Sequence, residues 1–238
     1  MGKNIFFLSV LFCLALFLSA CTANDYPVNL QDSNQAGFFP ALPLPQSDGG
    51  PFEVDININM NTIDNFLNRP DVAYFDLRMF YDPANFREIG SNPMITRTLP
   101  GFRQVPFPFI ATLAAMPVSG SYTGDSLFRI VWGENRQILE VAPNFLESEI
   151  ILSDLFPKDK AIFLMCNGGG YNSMLKSLLV HKGWDENMIY NIGGNWYYTG
   201  DNSIDLIIQP EGSPEPIIAT WRVNYALIDF SRLTRITR

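Results

Sequence analysis

The stretch Ala161-Ile162-Phe163-Leu164-Met165-Cys166-Asn167-Gly168-Gly169-Gly170-Tyr171-Asn172-Ser173 decides the fold class. Lys158-Asp159-Lys160 precedes five apolar residues, a run short enough for a strand and continuous enough for one buried on both faces. Cys166 to Asn172 then reads as a glycine-rich loop. Ser173 to Lys182 places Met174, Leu175, Leu178 and Leu179 at helical spacing, with Gly183 positioned to end the helix. Met188 to Ile192 gives a further short strand, closed by Gly193-Gly194. Strands separated by helical segments require crossover connections, so the chain is expected to be α/β with a central parallel sheet flanked by helices.

A cysteine at the carboxyl end of such a strand, before a helix, occupies a defined electrostatic setting. Ligands bind at strand carboxyl ends in open α/β sheets, and a helix N-terminus offers unpaired N–H groups with partial positive charge. Three consecutive glycines allow positive φ and let successive amides turn toward one anionic atom. The expectation is an exposed Cys166 with a depressed pKa, held as a nucleophilic thiolate, with Asn167, Gly168, Gly169, Gly170, Tyr171 and Asn172 as its cradle. A competing structural reading makes Cys166 a small buried hydrophobe.

Outward from this unit, Val72 to Arg78 reads as a buried parallel strand ending in polar residues, preceded by a short helix from Thr62 to Leu67 with Thr62 as N-cap. Val54, Ile56, Ile58 and Met60 alternate with polar residues, which suggests a half-buried strand or edge segment. Leu99-Pro100-Gly101 marks a turn, Phe102 to Phe109 a short strand, and Tyr122 to Val141 a hairpin around Gly133-Glu134-Asn135. Ile204 to Ile208 is a further strand candidate, followed by a Pro-rich turn and a mixed tail. Trp196-Tyr197-Tyr198 is expected to be core rather than a binding wall.

On these residues the sequence resembles the rhodanese-like domains, over about Thr62 to Gly200. Asp76-Leu77-Arg78 stands in the place of that family's Asp-x-Arg, and Leu99-Pro100-Gly101 in that of Ile-Pro-Gly-Ala. Cys166 occupies the active-loop position, Gly183-Trp184 matches the Gly-aromatic pair after the loop's helix, and Ile192 to Trp196 is similar to the late Gly-Gly-x-x-x-Trp segment with a shorter gap. The resemblance implies a rhodanese-like domain over 54–202, with a large mid-domain insertion and a C-terminal extension, 203–238, packing on it. It also implies a sulfurtransferase in which Cys166 accepts sulfane sulfur from a small donor as a persulfide and passes it to a thiol acceptor. Asp76 and Arg78 would be structural ties. The sequence departs from the family where many active members carry an arginine five residues after the cysteine, because that position is Tyr171 and the loop carries no charge. Arg97 or Arg103 could reach the site instead. Phosphoryl transfer fits poorly without a bidentate donor in the loop. The alternative to an enzyme is a catalytically inactive binding or assembly module of the cell envelope.

The N-terminus reads as an address. Lys3 precedes Ile5 to Leu18, an apolar run of signal-peptide length, shorter than the roughly 20 residues a spanning helix needs. Leu18-Ser19-Ala20-Cys21 resembles the lipobox of bacterial lipoproteins, so 1–20 is expected to be removed and Cys21 lipidated, anchoring the protein to a membrane of the envelope on the periplasmic or outer-surface side. Residues 21–53, rich in Pro, Gly and amide side chains, read as the lipidated terminus and a tether.

Composition narrows the remaining classes. The 238 residues are 47% apolar and 17% charged, with 16 Lys+Arg against 24 Asp+Glu and a formal net charge of −8. That balance is globular, and its acidity argues against a nucleic-acid partner. One histidine and three cysteines give no zinc-ligand spacing, and Asp201 to Asp205 lacks the glycine and glutamate of an EF-hand loop, so neither a metal nor another cofactor is expected. His181 sits near a helix end as a surface or capping residue, and Gly168-x-Gly170-x-x-Ser173 lacks the downstream acid of a dinucleotide site, where Asn191 stands.

Overall fold

The computed structural model describes residues 39–79, 96–112, 124–214 and 217–237. Cys21, the leader and most of the tether lie outside these residues. The chain divides into two units, Met1–Pro40 and Ala41–Arg238, and the architecture below is that of the second.

Its center is a five-stranded parallel sheet. In chain order the strands are β1 (Val72–Asp76), β2 (Arg97–Thr98), β3 (Arg103–Gln104), β4 (Phe128–Trp132), β5 (Ile138–Pro143), β6 (Ala161–Cys166), β7 (Ile189–Gly194), β8 (Ile204–Asp205), β9 (Ile207–Ile208), β10 (Ile217–Ile218) and β11 (Asn224–Tyr225). The central sheet runs β11-β3-β1-β6-β7, with every neighboring pair parallel. Helices α1 (Phe107–Ile110), α2 (Ser148–Leu155) and α3 (Gly170–His181) complete the α/β arrangement. The sequence-level expectation of a parallel sheet flanked by helices therefore holds.

Successive residues of β1 and β6 face opposite sides, as the two-residue period of a strand demands. Phe75, Ile162, Leu164 and Cys166 join Met174, Leu175, Leu178 and Leu179 of α3 in one core. Val72, Tyr74, Phe163 and Met165 join Ile58, Met60, Ile63 and Ile192 in the other. This burial on both faces explains why β6 reads as an unbroken apolar run.

Several expected elements differ in detail. Val54 to Met60 forms no strand and pairs only through the isolated Ser47–Asp55 bridge: the Asp55 carboxylate accepts the Asn57 and Ile58 amides at 2.8 and 2.6 Å, and that local bonding competes with a ladder. From Ala41 the supposed tether belongs to the folded unit, with Tyr190 Oη donating to the Pro43 carbonyl at 2.7 Å. Thr62 precedes a 3₁₀ turn, Ile63–Phe66, but its hydroxyl does not cap it, donating instead to Asn57 O at 2.9 Å. The expected Phe102–Phe109 strand is only β3, followed by the single turn α1. The hairpin is present as β4 and β5, while Ile204 to Ile208 splits into β8, paired with β2, and β9, paired with β10. Trp196 and Tyr197 are 46% and 64% exposed, so of the three aromatic residues only Tyr198 is core.

Candidate active site

Cys166 is the last residue of β6 and points into the α3 side of the sheet. The chain reverses into α3 through Gly169, whose φ of +103° makes it the only one of the three loop glycines in the left-handed region. That turn aims the first-turn amides of α3 back at the cysteine. The Gly169 N–H donates to Cys166 Sγ at 3.0 Å, and the amides of Asn172, Tyr171 and Gly168 also act on the sulfur to favor its anion. One main-chain donor thus hydrogen-bonds the sulfur, and three neighboring amides add to its pull on the anion.

The expected exposed, depressed thiol is nevertheless corrected by its surroundings. Cys166 is 3% exposed, and burial pushes the thiol up from its ordinary pKa against the opposing pull of the amides. Desolvation exceeds the donors because the residue packs among core side chains that provide no compensating charge.

Asn167 contributes its carbonyl to the loop's seat on β7. A Cβ on Gly194 would lie 1.8 Å from Asn167 O, so only glycine permits this approach. The register between β6 and β7 shifts between Leu164 and Cys166, which brings Cys166 opposite Gly194. Gly170 opens α3. Tyr171, at the position where an arginine was sought, stacks on Phe107 with centroids 5.4 Å apart, and burial together with the neighboring Cys166 charge pushes its phenol up.

Asn172 and Asn191 tie the loop down. Asn172 Nδ2 donates to Asn191 Oδ1 at 2.7 Å and to Gly193 O at 2.8 Å. Asn191 Nδ2 donates to Gly169 O at 3.1 Å and to Phe52 O at 2.6 Å, and its Oδ1 also accepts the Gly193 amide at 3.0 Å. In the sequence Asn191 stands only where a dinucleotide site would have its acid, and nothing there signals that it brackets the loop. Phe52 carries no signal in the sequence and Val54 reads there only as part of an alternating segment, yet a Cβ on Gly169 would meet them at 3.2 and 3.3 Å, so both lie against the loop. A cleft of about 490 Å³ opens beside them, with Asp55, Gly168, Gly193 and Tyr197 among its lining residues.

Asp76 and Arg78 form a buried ion pair at 2.5 Å. Arg78 also donates to Asn195 Oδ1 at 3.2 Å and to Arg97 O at 2.8 Å, and Thr98 Oγ1 donates to Asp76 at 3.0 Å. The pair joins the ends of β1, β2 and β7, a structural geometry. Among the described residues Arg97 enters this network through its carbonyl, and neither Arg97 nor Arg103 is among the groups acting on the sulfur. His181, the last residue of α3, is exposed. Among the described residues no three His, Cys, Asp or Glu side chains gather as metal ligands, and no helix is long and apolar enough to cross a membrane.

Comparison with protein families, curated proteins and solved structures finds no match for this chain.

Proposed function

We propose that the chain is an envelope lipoprotein whose rhodanese-like domain carries sulfane sulfur as a persulfide on Cys166. The observation that supports this reading is the Gly169 amide hydrogen-bonded to Sγ at 3.0 Å, with the Asn172, Tyr171 and Gly168 amides also favoring the sulfur anion. Clustered main-chain donors suit an anion with several lone pairs better than a neutral thiol, which accepts hydrogen bonds weakly. In the proposed reaction the Cys166 thiolate attacks the outer sulfur of a donor. A new S–S bond forms while the donor's own sulfur bond breaks, its electron pair leaving with the donor remnant. A thiol acceptor then attacks the outer persulfide sulfur as its thiolate, and Cys166 departs as thiolate, so no net oxidant is needed. In this reading the domain carries a large mid-domain insertion, residues 203–238 are the extension, and a lipid on Cys21 holds the domain at a membrane of the envelope.

Burial of the sulfur favors a second reading, in which the domain is a catalytically silent binding or assembly module. Intact-mass spectrometry separates the two. After incubation with thiosulfate or inorganic polysulfide, the sulfur-carrier reading expects a gain of about 32 Da that is lost in Cys166→Ser. No gain with either donor supports the silent module. The anchor is tested by Cys21→Ala, which is expected to release the protein into the soluble fraction; continued membrane retention contradicts lipidation at that residue.

A further inference from the structure

We propose that residues 47–56 form a strap that governs access to the Cys166 loop, with Arg136 as its latch. The inference concerns access to the thiol and holds whether or not that thiol carries sulfur.

Both ends of the strap are tied. Ser47 and Asp55 bridge in antiparallel fashion, and the Asp48 amide donates to Val54 O at 2.8 Å. Asp55 fixes the second end: its amide donates to Asn191 O at 2.8 Å, and its carboxylate accepts the Gln46 amide at 2.6 Å. Between these ties the strap lies on the loop. Phe52 and Val54 occupy the space a Gly169 side chain would need, and Phe52 O accepts from Asn191 Nδ2, the side chain that also holds Gly169 O. Gly169 is in turn the residue whose amide sits 3.0 Å from Sγ. One residue therefore separates the strap from the sulfur.

A further contact comes from the turn between β4 and β5. Arg136 donates from Nη2 to Pro51 O, and its guanidinium lies over the Phe52 ring, 5.5 Å from the centroid. Glu53 and Arg136, on the two sides of this contact, have φ of 55° and 62°. They are two of the three non-glycine residues with positive φ among the described residues, the third being Asn68. Such conformations persist only where surrounding contacts over-determine them, and they concentrate at clamps and switches. Strain on both sides of the contact favors its release, and the arginine opposes it. With the strap lifted, Gly169 loses the side chains packed against it and water gains a path to the loop.

Arg136→Ala in the full-length chain tests this, with iodoacetamide alkylation of Cys166 followed by mass spectrometry and amide hydrogen exchange read in parallel. The expected result is alkylation faster by roughly tenfold, the effect of losing one hydrogen bond and one cation–π contact from the closed state. Exchange at the Asp48 and Asp55 amides is expected to quicken while the β6 amides keep their protection. An unchanged alkylation rate overturns the proposal. So does faster alkylation without faster strap exchange, or with β6 losing protection in step, which is the signature of global opening.

Discussion

At Cys166 two forces oppose each other on one sulfur. Main-chain donors, led by Gly169 N at 3.0 Å, favor the anion, while removal from water favors the neutral thiol and prevails. Alkylation of the folded protein is therefore expected to be slower than that of the same chain in urea, and its rate to keep climbing with pH beyond the ordinary thiol range near about 8.5. A rate that saturates below neutrality would mean the amides win. Asn191 carries a different load, since its side chain makes four hydrogen bonds that join the loop, β7 and the strap. Asn191→Ala strands buried partners at Gly169 and Asn172, and a loss of about 3 kcal/mol in urea unfolding is expected. Arg78→Ala leaves the Asp76 carboxylate buried and unpaired, at a cost of about 3–5 kcal/mol by the same measurement.

Among the elements, β6 and α3 are where sequence and structure agree best, α3 starting at Gly170 rather than Ser173, and the glycines explain how the loop between them is built. Gly194→Ala drives a methyl into the Asn167 carbonyl, two backbone atoms with no flexible side chain to yield, so a loss of at least ~3 kcal/mol is expected. Gly168→Ala meets nothing within 4 Å and is expected to stay within about 0.5 kcal/mol of the parent in the same urea titration. Equal losses in the two variants would contradict the loop geometry. The strand and helix of this unit were legible because each presents one period at sufficient length: five apolar residues for β6, and Met174, Leu175, Leu178 and Leu179 for α3. Val54 to Met60 shows the opposite case. Its alternation is real, but the Asp55 side chain captures the amides a ladder would use, and the pattern of apolar residues carries no trace of that choice. The Cys166 pKa was misjudged for a related reason, because the loop glycines announce donors whereas burial arises from packing by distant segments.

Across the whole molecule, proton linkage has a definite sign. The Cys166 thiol and the Tyr171 phenol are pushed up by burial, and Tyr190 is pushed up to about 12. The folded state therefore holds protons that the unfolded chain releases first. Their contribution to stability is complete below the unfolded-state values and is lost as pH rises through the folded ones, starting near about 8.5 for the thiol. Urea midpoints are expected to fall above that pH, less steeply in Cys166→Ser at the onset. At this scale the sequence was least informative. The edge strand β11 is two residues, Asn224–Tyr225, too short to show a period, yet its parallel pairing with β3 brings the C-terminal region into the same sheet as Cys166. The most direct test of the central claim, that the loop amides form a receptacle for anionic sulfur, is a ¹H–¹⁵N spectrum recorded before and after treatment with inorganic polysulfide, alongside the intact mass. The expected result is a gain of about 32 Da with the Gly168, Gly169, Tyr171 and Asn172 amide protons moving downfield together while the β6 amides hold still. A mass gain that leaves those four amides unmoved, or no gain at all, contradicts it.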